Sequence, residues 1–201
     1  MYAIVTDNEI TKFINHPKSL VIGDVRYPAK IFQLWSTSEL NAIGIYEVVF
    51  DNSNKKDEKW YINTNQSYDF DGNEVTASYG TATPKAHADT LWTAQNETDG
   101  KGIEGEVATR GLKYNLIQTL KQQVANELSK TDWYITRNTE KSTAIPSAIS
   151  THRDAVRTKQ AEMETAITNA SDTPALETLY TYTTTDGVQS RPLGELPTLE
   201  S

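Results

Sequence analysis

The spacing of the apolar residues changes near residue 110, and this change constrains the fold more than any other feature. Before it, short apolar runs at residues 2–5 and 45–50 have the length and composition of β-strands. After it, leucine or valine recurs every four residues, which is the period of an amphipathic helix over about residues 110–129. We therefore expect an α+β fold in which strands come first and long helices last.

The N-terminal region predicts a compact module. Runs at residues 2–5 and 10–13 flank a turn rich in Asp and Asn, which is a hairpin signal. Ser36 precedes Glu39 by three residues, the spacing of a capping box at the start of a short helix. Gly44 comes just after this short helix, at a position where a helix C-terminus favours a residue with left-handed backbone angles. The sequence thus predicts a β-hairpin, a short helix and a strand.

The middle of the chain is more polar. Alternating residues on both sides of Asp71-Gly72-Asn73 predict a second hairpin. The segment 93–109 contains three glycines and few apolar residues, as is typical of a linker. The polar middle region is therefore expected to form a thin sheet that a flexible linker connects to the helices.

Two further helices are predicted after a connection at residues 131–143. Pro146 suits the first turn of a long helix, and Pro174 that of a short helix ending near residue 180. Because the apolar seam of the long helix is interrupted by polar residues, we expect a helical hairpin and no strict coiled coil. Five parts are expected: an α+β module (1–50), a β-hairpin region (51–92), a linker (93–109), a helical hairpin domain (110–183) and an extended tail (184–201).

Composition narrows the possible partners. The formal net charge is −8, which argues against a nucleic-acid surface or an anionic membrane surface. The chain has no cysteine, so thiolate chemistry and disulfides are excluded. Neither a signal peptide nor a membrane-spanning stretch is indicated, and synthesis in a cytoplasm is expected. Only 37% of the residues are hydrophobic, which predicts small cores and favours a homo-oligomer or other neighbours.

No pattern predicts catalysis, a cofactor or a metal. The three histidines, His16, His87 and His152, do not have zinc-ligand spacing, and no G-x-S-x-G motif occurs. The acidic segment 69–74 could hold calcium, but a hairpin turn explains all of its residues. The pair Trp133-Tyr134 lies between predicted helices, where it either closes the helical hairpin or anchors a partner. We therefore expect a non-enzymatic protein.

Two segments resemble small tail-associated proteins of tailed bacteriophages, including tail-fibre assembly proteins. The N-terminal match consists of Tyr27-Pro28, Phe32, Glu39-Leu40, Gly44, Tyr46 and Val48. The C-terminal match consists of Asp132-Trp133-Tyr134, Arg137, Ile145-Pro146, Arg153, Val156 and Arg157, followed by the closing segment 191–197. In that closing segment Leu196 stands where the family often has Trp. The middle of the chain, residues 51–109, is not matched.

The resemblance implies a structural component of a phage tail, acting as an adaptor or connector at the baseplate or the fibre attachment. Its partners would be other tail proteins of the fibre, baseplate or tail tube, and its location the virion tail after synthesis in the host cytoplasm. The alternative is a tail-fibre assembly chaperone that the virion does not retain. A third hypothesis, a glycan-binding or glycan-acting accessory at the tail tip, would involve Trp60 or Asp69.

Seven residues are predicted to contact protein partners. For each of them a structural role competes: the aromatic residues could fill cores, and the arginines could be solvated and pair with Asp154 or Glu164. The predicted interface residues are Tyr2, Trp35 and Tyr46 in the N-terminal module, and Trp133, Tyr134, Arg153 and Arg157 in the helical region.

Overall fold

A computed structural model describes residues 1–64 and 66–199 and confirms the α+β class. The chain forms two compact units, one comprising Met1–Thr83 and the other beginning at Pro84. The first unit is built mainly of strands and the second mainly of helices, as the change in apolar spacing predicts.

The first unit contains a five-stranded sheet and two short helices. Its elements are β1 (Tyr2–Thr6), β2 (Glu9–Ile14), β3 (Leu20–Ile22), β4 (Val25–Tyr27), α1 (Ile31–Leu34), α2 (Thr37–Asn41), β5 (Ile45–Asp51), β6 (Tyr61–Ile62), β7 (Ser67–Phe70) and β8 (Val75–Ser78). Strand β9 (Thr83–Pro84) lies at the boundary with the second unit. The sheet order is β2-β1-β5-β8-β7, and β3 pairs with β4 in a separate hairpin.

Both predicted hairpins form. Strands β1 and β2 pair antiparallel around Asp7 and Asn8, which have φ of 52° and 64°. Strands β7 and β8 pair around the Asp71-Gly72-Asn73 turn. However, β5 and β8 also pair in parallel, so the regions 1–50 and 51–92 share one sheet. This pairing was not predicted, because a parallel ladder between distant segments leaves no local turn signal.

The sheet has apolar side chains on both faces. One face packs Ile4, Ile14 and Ile45 against the buried side chains of α1 and α2. The other face buries small residues such as Ala3 and Ala77 beneath aromatic rings.

Two ring pairs cover that second face. Phe13 of β2 and Tyr68 of β7 lie with ring centroids 4.4 Å apart, although their strands are the two edges of the sheet. Tyr46 and Phe70 form the other pair, at 4.7 Å. The sheet therefore curls until its edges meet, which buries Ala3, Val48, Val75 and Ala77 on the second face without another layer.

The predicted start and end signals of α2 are confirmed. The Ser36 side chain accepts from the Glu39 amide, and the Glu39 carboxylate accepts from the Ser36 amide at 2.7 Å. These hydrogen bonds lower the pKa of Glu39. Gly44 has φ of 79°, in the left-handed region, and its carbonyl accepts from the Val5 amide at 2.8 Å. The local signals thus fix both the helix and its junction with β1.

The second unit is dominated by helices that carry their own core. Its elements are β10 (Thr90–Leu91), α3 (Ala94–Thr98), β11 (Val107–Thr109), α4 (Leu112–Ser129), α5 (Asp132–Lys141), α6 (Ser147–Asn169), α7 (Thr173–Tyr180), β12 (Thr183–Thr185) and β13 (Val188–Ser190). Helix α4 packs against α6, and the buried side chains include Leu120, Val124, Val156, Ile167 and Leu176. Pro146 immediately precedes α6, as the sequence predicts.

The expectation of a flexible linker at 93–109 is wrong. Thr93 and Asn96 form a capping box that begins α3, and β11 pairs with β10. The Trp92 amide also donates to the Glu106 carbonyl at 2.8 Å. Glycine content suggested flexibility, but Gly100 and Gly105 lie in turns that fold the segment back on itself, and Gly102 lies against the Trp92 ring.

Two other expectations about the helical region are also wrong. The connection predicted at 131–143 is mostly the helix α5, which ends where Ser142 adopts φ of 52°. The tail predicted to be extended instead begins with the hairpin β12–β13. Asp186 and Gly187 both have positive φ in its two-residue turn, the conformation that Asp-Gly favours.

Candidate functional site

Arg153 lies inside the helical unit. It is 8% exposed, and its Nη1 donates to the Leu128 carbonyl at 2.8 Å and to Thr131 Oγ1 at 2.7 Å. The same nitrogen lies 2.8 Å from Asp132 Oδ1. One guanidinium on α6 therefore joins the end of α4 to the beginning of α5.

Arg157, one turn further along α6, is placed differently. Its side chain is 52% exposed, and Nη1 lies 3.4 Å from Asp154 Oδ1. This is the pairing that the competing structural role predicted. Of the two arginines predicted at an interface, only Arg157 presents its charged group at the surface of the unit, whereas Arg153 is occupied by internal hydrogen bonds.

A second buried polar contact joins α4 to α6. Glu127 is 8% exposed and accepts from Lys130, while its Oε1 lies 3.2 Å from His152 Nε2. The hydrogen bond from Lys130 lowers the pKa of Glu127 below its ordinary value, against the opposing effect of burial. These groups are therefore structural partners, which gives His152 a hydrogen-bonding role.

The lowered pKa of Glu127 leads to a pH-dependent prediction. A carboxyl whose folded pKa is depressed stabilises the protein above its unfolded pKa and loses that contribution as pH falls through the folded pKa. We expect Glu127→Gln to lower the free energy of unfolding by about 1.5 kcal/mol near neutral pH, and by progressively less toward about pH 3. Urea unfolding of both proteins across this range measures the difference. A pH-independent difference would contradict the role of the charge.

Helix α5 presents an aromatic and basic surface. None of its side chains is buried, and Trp133 is 51% exposed. The rings of Trp133 and Tyr134 have centroids 3.7 Å apart, and the Arg137 guanidinium lies 4.7 Å and 5.4 Å from them. Rigid aromatic rings beside an arginine are the side chains that contribute most strongly to protein interfaces.

In the first unit, Tyr2 and Trp35 line a small cavity of about 60 Å³. An adjoining cavity of about 280 Å³ shares Thr37, Asn41 and Glu47 with it. We call the two together the α2 groove. Its lining residues are Tyr2, Phe32, Trp35, Thr37, Leu40, Asn41, Tyr46, Glu47, Val49, Asn73 and Glu74.

Of the three residues predicted at the N-terminal interface, the structure brings Tyr2 and Trp35 together in the α2 groove. Tyr46 only borders the adjoining cavity, and its ring packs against Phe70 on the other face of the sheet. Sequence reasoning missed the polar members of the α2 groove, above all Glu47 and Glu74. They become neighbours only through the unpredicted parallel pairing of β5 with β8. The exposed carboxylates of an alternating strand carry no signal that a carboxylate from another segment lies beside them.

Other candidate chemistry is accounted for locally. Asp71 accepts from the amides of Asn73 and Glu74 at 2.8 Å each, which is hairpin-turn hydrogen bonding. Trp60 is only 3% exposed and so offers no surface platform for a glycan. Within residues 1–64 and 66–199, no group of three acidic or histidine side chains could hold a metal ion. In the same residues, no helix is long and apolar enough to cross a membrane.

Comparison with protein families, with curated proteins and with solved structures finds no match to this chain.

Proposed function

We propose that the chain is a non-enzymatic structural component of a bacteriophage tail, acting as an adaptor or connector at the baseplate or the fibre attachment. The observation that carries this proposal is helix α5, which has no buried side chain yet displays Trp133 and Tyr134 beside Arg137. Aromatic rings beside an arginine are enriched at the centres of protein interfaces. The aromatic pair on α5 therefore supports a protein-binding role.

The residues that resemble phage tail proteins fall into two physical classes. In the N-terminal match, Phe32 and Leu40 are core residues and Glu39 belongs to the capping box. These residues maintain the fold of the first unit. In the C-terminal match, Arg153 also maintains the fold through its internal hydrogen bonds. Trp133, in contrast, is half exposed and is not a core residue. Because Trp133 is exposed, the C-terminal match favours a partner-binding surface that this chain has in common with the phage tail proteins, over a common core alone.

The partners proposed for the chain are other phage tail proteins of the fibre, baseplate or tail tube, with further copies of the chain in the assembly. It would be made in the host cytoplasm and retained in the virion tail. The alternative is a tail-fibre assembly chaperone that acts through the same surface and leaves before the particle is complete. The two roles differ in where the protein is found at the end of assembly.

The protein composition of purified virions separates these roles. In particles of a tailed phage that encodes this chain, quantitative mass spectrometry is expected to find it at a fixed ratio to a major tail protein. A lysate of the same infected cells is the control, because it contains the chain in either case. If the chain is abundant in the lysate and missing from purified particles, the connector role is wrong.

A further inference from the structure

A row of side chains crosses three strands in the floor of the α2 groove. Tyr2 on β1 lies opposite Glu47 on β5 in the antiparallel ladder. Val48 on β5 is aligned with Val75 on β8, and the residues just before them, Glu47 on β5 and Glu74 at the entry to β8, line the same cavity. Because side chains alternate between faces, both carboxylates lie on the sheet face that carries Tyr2.

The two carboxylates have no cationic partner. Neither Glu47 nor Glu74 forms an ion pair with any lysine, arginine or histidine in the described parts of the chain. The lining of the α2 groove contains no basic residue either. Like charges side by side on neighbouring strands are destabilising. A cation between them would remove that repulsion.

The neutral polar groups at the same place add an acceptor. With the Asn41 amide oriented so that its nitrogen donates to the carbonyls of Thr37 and Ile45, at 3.1 Å and 3.0 Å, both of its donor hydrogens are used. Its oxygen is then left to accept a hydrogen bond. The α2 groove therefore offers carboxylate and amide oxygens to a ligand that carries several N–H donors.

Aromatic rings close one end of the α2 groove. Tyr2 packs against Phe32 with ring centroids 4.8 Å apart, and Trp35 meets Tyr27 edge to face at 5.8 Å. Tyr2 and Trp35 are partly exposed. A planar cation can stack on such rings while its edge donates to carboxylates, a combination that suits a guanidinium better than a lysine ammonium.

We propose that the α2 groove receives an arginine side chain from an extended segment of a protein partner. The guanidinium stacks against Tyr2 and Trp35, and its edge donates to the oxygens of Glu47, Glu74 and Asn41. This inference rests on the proposed role of the first unit in holding a partner. The partner must then carry a basic side chain at this position, and its positive charge complements the net negative charge of the chain.

The test uses Nα-acetyl-arginine amide as the probe and the full chain labelled with ¹⁵N. Titration is expected to shift the indole N–H resonance of Trp35 and the backbone amides around Glu47, with saturation in the millimolar range expected of so small a ligand (about 1–10 mM). Nα-acetyl-citrulline amide, which has nearly the same shape without the charge, is expected to bind at least about ten-fold more weakly.

Matched variants assign the binding to the two carboxylates. Glu47→Gln and Glu74→Gln are each expected to raise the dissociation constant by at least about three-fold. Glu9→Gln, at an exposed position of strand β2 in the same unit, is expected to leave the dissociation constant unchanged. The amide spectra show that each variant is folded.

Equal binding of the arginine and citrulline probes would overturn the proposal, as would saturation with no shift near Trp35. Binding that Glu47→Gln and Glu74→Gln leave unchanged would also overturn it. These outcomes are independent of the composition of virions, so failure of the groove proposal is distinguishable from failure of the tail assignment.

Discussion

Replacing Arg153 by alanine is expected to lower the free energy of unfolding of the helical unit by about 3 kcal/mol. The substitution removes the donor shared by the Leu128 carbonyl, Thr131 Oγ1 and Asp132 Oδ1. Thr131 is 1% exposed, so water cannot readily take the place of the lost donor. The cost is large because the Thr131 hydroxyl and the partly buried Leu128 carbonyl stay inside the unit where three helices meet, whereas the exposed Asp132 carboxylate can be solvated.

Arg157→Ala is the matched control, because Arg157 lies four residues away on the same helix and was predicted for the same interface. Its side chain is half exposed and pairs with Asp154 at the surface, so we expect a change within about 0.5 kcal/mol. Urea unfolding followed by circular dichroism at the helix band measures both, since the long helices belong to this unit. Equal losses in the two variants would contradict the internal role of Arg153.

Replacing Gly44 by alanine is expected to destabilise the first unit by about 3 kcal/mol. The residue has φ of 79°, where a side chain is strained, and a Cβ there would lie 2.6 Å from the Val5 carbonyl oxygen. That oxygen belongs to the strand whose amide donates to Gly44, so the junction of β1 with β5 must shift to relieve the contact.

Gly72→Ala separates the effect of backbone strain from the effect of the contact with the Val5 carbonyl. Gly72 has φ of 95°, but a Cβ there meets nothing within 4 Å, so only the backbone strain of about 1 kcal/mol is expected. Hydrogen exchange read by mass spectrometry on peptides from residues 1–50 measures the stability of this unit apart from the helices. Faster exchange for Gly44→Ala than for Gly72→Ala is expected. The reverse order would show that the contact with β1 is relieved without cost.

The sequence predicted those parts of the fold that local chemistry determines. Ser36 and Glu39 lie at the spacing that a capping box requires, and the leucine period gives α4 to within two residues at its start. Helix α5 was missed because Thr136, Asn138 and Thr139 are poor helix formers in the middle of a short segment. Packing of the unit therefore outweighs propensity at α5.

The candidate sites were predictable only in part. Trp133 and Tyr134 could be chosen because two adjacent large aromatics between helices are unusual, and Trp133 is indeed half exposed. Arg153 could not be distinguished from Arg157, because both follow the same helical period and the carbonyl of Leu128 lies 25 residues away. Pairings between distant residues decide which side chains remain available to a partner.

The composition of phage particles assembled with a Trp133→Ala chain tests the central claim most directly. Trp133 contributes to the α5 surface and is not part of any core, so the variant should unfold like the wild type within about 0.5 kcal/mol. If α5 docks onto a tail partner, purified particles will contain the wild-type chain at a fixed ratio and the variant at about one-tenth of that ratio or less. Equal incorporation of the two chains would contradict the claim that this surface holds the protein in the tail.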